Sequence, residues 1–68
     1  MPYINLKVTD DGMSLEQKAD IVDQFTRTLG RVLGKRPEHI HIVIDEVAAE
    51  NWGFAGMLTP EYRAREDG

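Results

Sequence analysis

The sequence predicts a small α+β subunit in which a long helix connects two parallel strands and a hairpin follows. Residues 3–8 and 40–47 alternate apolar and polar side chains, which is typical of half-buried strands. Residues 15–33 instead repeat apolar side chains every three or four positions, which is typical of a helix with one apolar face. A strand, a helix and a second strand in this order predict a βαβ unit with a right-handed crossover.

The first strand places Ile4, Leu6 and Val8 on one face and the residues between them on the other. Residues 9–12 follow as a cluster of turn formers that ends in a glycine. This pattern predicts a strand with one face directed to a core.

The helix has a recognisable start and a recognisable end. Ser14 and Gln17 have the spacing of a capping box, so the helix is predicted to open at Ser14. Gly34 suits the left-handed position after a helix, and Pro37 prevents the helix from continuing. The helix therefore has about five turns.

The second strand has the strongest strand signal in the chain, since Ile40, Ile42 and Ile44 share one face. One helix covers only one face of two strands, so Val43 and Tyr3 remain uncovered on the other. A chain of 68 residues without cysteine cannot be stabilised by disulfides. We therefore expect copies of the chain to pair edge to edge and to stack face to face.

The last third of the chain divides into an apolar and a polar part. Residues 51–58 mix large apolar side chains with two glycines, which predicts a short hairpin docked on a neighbouring subunit. Residues 59–68 are polar and form either a tail or a short helix opened by Thr59 and Pro60. The predicted organisation is one domain at residues 2–58 and a polar C-terminal tail at residues 59–68.

Charge and hydropathy exclude two classes of partner. Eight lysines and arginines against twelve aspartates and glutamates give a net charge of −4, which disfavours a nucleic-acid backbone. No apolar run approaches the roughly 18 residues of a membrane span, and the first residues do not form a signal peptide. We therefore expect a cytoplasmic protein that binds neither nucleic acid nor membrane.

Pro2 is the residue on which chemistry would depend. Methionine aminopeptidases remove Met1 when a small residue such as proline follows, and removal leaves a secondary amine. An ordinary α-amino group has a pKa of about 7.7 to 8.0, and burial or a nearby cation lowers it. A neutral amine near pH 7 is a competent general base. The alternative is that Pro2 is inert, as it must be if Met1 stays and leaves it an amide.

Four segments resemble those of one enzyme family in order and spacing: residues 2–7, 16–18, 42–47 and 51–56. The chain resembles the 4-oxalocrotonate tautomerase family over about residues 2–58. The resemblance implies a βαβ subunit with a C-terminal hairpin, assembled as a hexamer or trimer of dimers. It also implies keto-enol tautomerisation of an enol or dienol 2-oxo acid, without metal or organic cofactor. Pro2 would be the general acid and base.

The resemblance also implies the substrate pocket. Trp52 takes the place of the hairpin aromatic residue that lines the pocket and depresses the proline pKa. Met13 and His41 stand where the family has two substrate-binding arginines. Histidine offers one adjustable donor where arginine offers a permanent bidentate clamp, so His41 and Arg36 are our candidates for substrate binding. Lys35, Arg63 and Arg65 are among the other cations that could replace the missing arginines.

Two further interpretations follow from these departures. His39 and His41 share a strand face and can chelate a metal, but a zinc site needs three or four ligands, and only a carboxylate such as Asp45 is available as the third. We therefore predict no metal site.

The loss of both arginine positions also fits a non-catalytic binding or assembly subunit of the same fold, within a hetero-oligomer.

Overall fold

The computed structural model describes residues 1–67 and contains the predicted strand, helix, strand and hairpin in that order. The elements are β1 at Tyr3–Thr9, α1 at Leu15–Leu33, β2 at His41–Val47, β3 at Gly53–Phe54, β4 at Met57–Leu58 and α2 at Thr59–Asp67. Single turns of 3-10 helix lie at Pro37–His39 and Ala49–Asn51. The predicted α+β fold class is confirmed.

Both ends of α1 are fixed by the residues that the sequence indicates. The Ser14 hydroxyl oxygen accepts the Gln17 amide N–H at 3.1 Å, and the Gln17 side-chain oxygen accepts the Ser14 N–H at 2.9 Å. At the other end Gly34 has φ 66°, the left-handed conformation that glycine adopts without steric cost. Its N–H donates to the Gly30 carbonyl at 3.0 Å. The helix is thereby closed at both ends by local chemistry.

Removal of this cap is expected to destabilise the protein measurably. Ser14→Ala deletes the acceptor for the Gln17 N–H and should lower the free energy of unfolding by about 1 kcal/mol. Urea unfolding at matched protein concentration measures the change, and Ser14→Thr is the control because threonine keeps the acceptor oxygen. Equal midpoints for Ser14→Ala and the wild type would contradict the assignment.

The two long strands form a parallel pair, with Leu6 opposite Ile44. Even-numbered residues of both strands share one face because strand side chains alternate. An ion pair between Lys18 and Glu46 joins α1 to this face. The helix therefore covers the even-numbered face, as the sequence predicts.

The opposite face carries the odd-numbered side chains. Asn5 and Lys7 donate to the same Asp45 carboxylate oxygen, at 2.8 and 2.9 Å. The Asn5 hydrogen bond, followed by that of Lys7, holds the pKa of Asp45 below its usual range. Tyr3 is 62% exposed and Val43 42% exposed on this face, so the expected uncovered apolar surface is present.

The subunit has no closed core of its own. Among the described side chains no apolar residue is buried, and even Ile21, Phe25 and Leu29 remain partly exposed. Leu15, the first residue of α1, is 82% exposed. The radius of gyration is 15.7 Å, whereas a compact chain of this length would have about 11 Å. The single subunit thus buries too little apolar surface to account for its stability.

The hairpin and α2 form a second packed unit at the carboxyl end of the strands. Ala55 and Gly56 occupy the hairpin turn with φ 55° and 75°, which is typical of the tight turns that join antiparallel strands. Thr59 is 2% exposed, and its N–H and hydroxyl both donate to the Trp52 carbonyl, at 2.8 and 2.6 Å. The polar segment left open as tail or short helix is thus helical.

No helix within residues 1–67 combines the length and the apolar character that a bilayer crossing requires.

Candidate active site

Pro2 lies at the amino end of the strand pair. Its carbonyl accepts the His41 N–H at 3.0 Å, which fixes Pro2 against the first residue of β2. Pro2 is partly buried, whereas the attached Met1 is 83% exposed. The structure therefore places the predicted site residues Pro2 and His41 next to each other. Met1 is accessible from solvent.

Arg36 lies at the same end of the sheet, directly before the 3-10 turn that leads into β2. Its Nε is 3.3 Å from a Glu38 carboxylate oxygen, and its side chain is 71% exposed. His41 is exposed on the odd-numbered sheet face. Within residues 1–67 no group of three or more His, Asp or Glu side chains is arranged to hold a metal ion.

Trp52 lies at the other end of the sheet. It follows the turn Ala49–Asn51, which comes after the carboxyl end of β2. A seven-residue strand spans about 20 Å, so Pro2 and Trp52 of one subunit are separated by the length of the strands. The structure of the single subunit does not bring these two predicted residues together.

A cavity of about 380 Å³ opens beside Trp52. We call it the Trp52 cavity, and its lining combines two aromatic rings, two cations and two hydroxyl groups. The lining residues are Lys7, Val8, Thr9, Trp52, Phe54, Thr59 and Arg63. Phe54 also packs against Tyr62 of α2, with 4.5 Å between ring centroids. The sequence indicated Trp52 for a pocket and Arg63 as one of several available cations, but it did not indicate the other side chains.

Arg63 is held in the Trp52 cavity by the turn after β1. Its two terminal nitrogens lie 3.0 and 3.1 Å from the two Asp11 carboxylate oxygens, and one of them is 3.4 Å from the Thr9 hydroxyl. The Thr9 hydroxyl also hydrogen-bonds to Asp11. Bonds from Arg63 and then Thr9 hold the pKa of Asp11 below its usual value, and Asp11 raises the pKa of Arg63.

Acidification is expected to remove the stabilisation that Asp11 provides. Because the folded chain lowers the pKa of Asp11 from 3.8, its contribution is present above that pH and is lost as the pH falls through the folded-state pKa. Thermal unfolding of the wild type and of Asp11→Asn measures this. We expect the wild type to be more stable at pH 6 and the two midpoints to converge below pH 3.8. A difference that grows on acidification would contradict the assignment.

Residues 2–61 match the family model described as tautomerase enzyme. The chain belongs to the tautomerase family. The probable tautomerase K2 of Dickeya dadantii is 40% identical, over 93% of this chain and 94% of that protein. The 2-hydroxymuconate tautomerase of Comamonas testosteroni is 33% identical, over 90% of this chain and 95% of that protein.

Solved structures of the tautomerase family show the same fold. A 4-oxalocrotonate tautomerase isozyme of Methylibium petroleiphilum has a TM-score of 0.86 at 30% identity, covering 94% of this chain and 98% of that one. DmpI from Helicobacter pylori has a TM-score of 0.84 at 31% identity, covering 93% and 97%. A heterohexamer 4-oxalocrotonate tautomerase of Chloroflexus aurantiacus, at 21% identity and TM-score 0.80 over 90% and 97%, shares the fold.

In this tautomerase-family chain, Met13 and His41 stand at the two positions where the resemblance implies substrate-binding arginines. These two positions lie at opposite ends of the sheet. His41 lies beside Pro2, whereas Met13 follows the turn that carries Asp11. The turn before Met13 carries Asp11, which binds Arg63 of α2. A cation therefore lies beside this turn although the turn itself carries none.

Proposed function

We propose that the chain is a cofactor-independent keto-enol tautomerase of an enol or dienol 2-oxo acid, with Pro2 as general acid and base after removal of Met1. The observation that carries the proposal is the position of Pro2. Pro2 is partly buried directly before β1, and its carbonyl accepts the His41 N–H. It is also the first residue of the region that matches the tautomerase family. Met1 itself is 83% exposed in the single subunit.

The proposed chemistry is a proton transfer through one nitrogen. The neutral Pro2 amine accepts the proton of the enol hydroxyl while the carbonyl bond forms, and the resulting ammonium delivers that proton to the neighbouring carbon. A pKa near or below neutrality keeps the amine neutral before this step. An apolar ring such as that of Trp52 lowers the pKa of an amine by desolvation. His41 and Arg36 lie at the same sheet end as Pro2 and are the proposed hydrogen-bond donors to the substrate oxygens.

We further propose that the functional form is a homo-oligomer, a hexamer built as a trimer of dimers. Two observations support this proposal. The described chain has no buried apolar side chain. The β1–β2 pair has two unpaired strand edges and an uncovered face. In a homo-oligomer a neighbouring copy can supply Trp52 to the Pro2 of another, which the single subunit does not do. Assembly and catalysis then depend on each other.

Ketonisation of phenylenolpyruvate and of 2-hydroxymuconate, followed by ultraviolet absorbance, tests the function. Intact mass spectrometry first establishes that Met1 has been removed. We expect the mature homomer to accelerate at least one reaction well above the buffer rate. A folded, mature homomer without turnover on either compound would contradict the proposal and favour a non-catalytic subunit. Co-purification of a second small chain from the native source would point the same way.

A further inference from the structure

The Trp52 cavity lies along the free edge of β1. Lys7, Val8 and Thr9 are consecutive residues that all line it. Successive strand side chains point to opposite faces, so a cavity that touches all three adjoins the strand edge. The other edge of β1 is paired with β2. The cavity therefore opens towards whatever pairs with β1.

Backbone hydrogen bonds identify the groups that point to this free edge. The His41 N–H donates to the Pro2 carbonyl at 3.0 Å, and the Asp10 N–H donates to the Val47 carbonyl at 2.8 Å. In a parallel pair the residues of one strand alternate between pointing to the partner and pointing away. Even-numbered residues of β1 thus face β2, and odd-numbered ones such as Asn5 present their N–H and carbonyl groups outward.

A second copy of the chain is the occupant that fits this edge. Two identical strand edges related by a two-fold axis pair in the antiparallel sense. Antiparallel pairing brings the amino end of one β1 beside the carboxyl end of the other. Pro2 of one copy then lies next to the Trp52 cavity of its neighbour, which places the amine near Trp52 despite the length of the strands.

Arg63 is the side chain of this cavity best suited to a carboxylate. It is half exposed, with 50% of its side chain accessible, and it lines the cavity together with the rings of Trp52 and Phe54. Asp11 holds the two terminal nitrogens, one of which also lies 3.4 Å from the Thr9 hydroxyl, and Nε has no hydrogen-bond partner among the described residues. Arginine binds planar carboxylates with directed N–H bonds.

We propose that Arg63 of one copy binds the carboxylate of the substrate whose proton is moved by Pro2 of the paired copy. Asp11 is a positioning residue that fixes the plane of the guanidinium. The proposal rests on the proposed tautomerase function and identifies its substrate class. The substrates are 2-oxo acids with one carboxylate at Arg63 and an apolar or aromatic remainder against Trp52 and Phe54.

Steady-state kinetics of Arg63 variants with phenylenolpyruvate provides the first test. Arg63→Ala should raise KM about 10- to 100-fold, the effect of a lost hydrogen-bonded charge, with a smaller change in kcat. Arg63→Lys should lie between that variant and the wild type because it keeps the charge and loses the fork. Arg65→Ala is the matched control on the same helix, with unchanged kinetics. A wild-type KM for Arg63→Ala would overturn the proposal.

Asp11→Asn separates substrate binding from a purely structural role of Arg63. It breaks the same ion pair and leaves the guanidinium in place, so its KM should rise less than that of Arg63→Ala. Equal kinetic effects of the two substitutions would show that only the ion pair matters, and would overturn the proposal.

Mixing subunits tests whether the two groups come from different copies. Pro2→Ala and Arg63→Ala chains are unfolded together and refolded as a mixture. Each site takes Pro2 from one copy and Arg63 from the other. In a mixed pair, one of the two sites therefore has both residues intact, and the other site has both substituted. Half of the randomly formed pairs are mixed. Random pairing should therefore restore about one quarter of the wild-type kcat/KM. No gain over the separate variants would overturn the shared site.

The outcomes also separate this proposal from the function on which it rests. An inactive wild type, or a Pro2→Ala variant as active as the wild type, would contradict the tautomerase mechanism. An active wild type and an inactive Pro2→Ala variant, together with unaffected Arg63→Ala kinetics, would contradict only the role of Arg63.

Discussion

Pro2→Ala is expected to lower kcat by about 100-fold or more, the usual contribution of a positioned general acid and base. Alanine at this position also permits removal of Met1, so the variant keeps an amine at the chain end. That amine is primary and lacks the ring that fixes the nitrogen at the start of β1. Ketonisation of phenylenolpyruvate by the mature wild type and variant, each verified by intact mass, measures the effect.

A preparation of the wild-type sequence that retains Met1 is the sharpest control for this experiment. It has the same side chains, but the Pro2 nitrogen is an amide and accepts no proton. We expect it to be assembled and inactive. Equal rates for the Met1-retaining and mature forms would contradict Pro2 as the base, whatever the Pro2→Ala variant does.

The pH dependence of the mature enzyme follows from the same chemistry. The free amine must be neutral to accept the enol proton, so kcat/KM should fall as the pH drops below the amine pKa. We expect this limb at or below the ordinary α-amino range of about 7.7 to 8.0, because partial burial disfavours the charged amine. A limb that persists unchanged in the Met1-retaining form would have to arise from another group.

The strands and α1 were predictable because their signals are local. Alternation marked β1 and β2, and the capping pair Ser14 and Gln17 lies within three residues. β2 begins at His41, one residue later than predicted, because Ile40 ends the preceding 3-10 turn. The polar segment after the hairpin has too few apolar residues to show a helical pattern. Its helix is anchored by the buried Thr59, which donates two hydrogen bonds to the Trp52 carbonyl.

The candidate site was harder to predict because its residues are far apart in the sequence and come into contact only in the folded chain. Arg63 and Asp11 are 52 positions apart, and their contact depends on the direction in which α2 leaves the hairpin. No local periodicity encodes that direction. The separation of Pro2 from Trp52 has a similar origin. The sequence predicts which strand each residue adjoins, and the parallel arrangement then places the two at opposite ends of one subunit.

A substitution at Asn5, on the free edge of β1, is expected to affect assembly as strongly as Pro2→Ala affects catalysis. Its N–H points outward, because the even-numbered residues hold the hydrogen bonds to β2. Asn5→Pro removes this outward donor without removing a hydrogen bond between β1 and β2, and proline is tolerated on strand edges for this reason. The substitution should therefore block pairing with a second copy without directly breaking a hydrogen bond between β1 and β2.

We expect Asn5→Pro to abolish the oligomer, and with it most of the folded structure, because the separate subunit has no buried apolar side chain among those described. Light scattering should give the mass of one chain where the wild type gives several, and far-UV circular dichroism at equal concentration should show lost structure. Asn5→Ala is the matched control. It loses the same 2.8 Å side-chain bond to Asp45 but keeps the N–H, and it should remain assembled. An assembled Asn5→Pro, or dissociation of both variants, would contradict pairing through this edge.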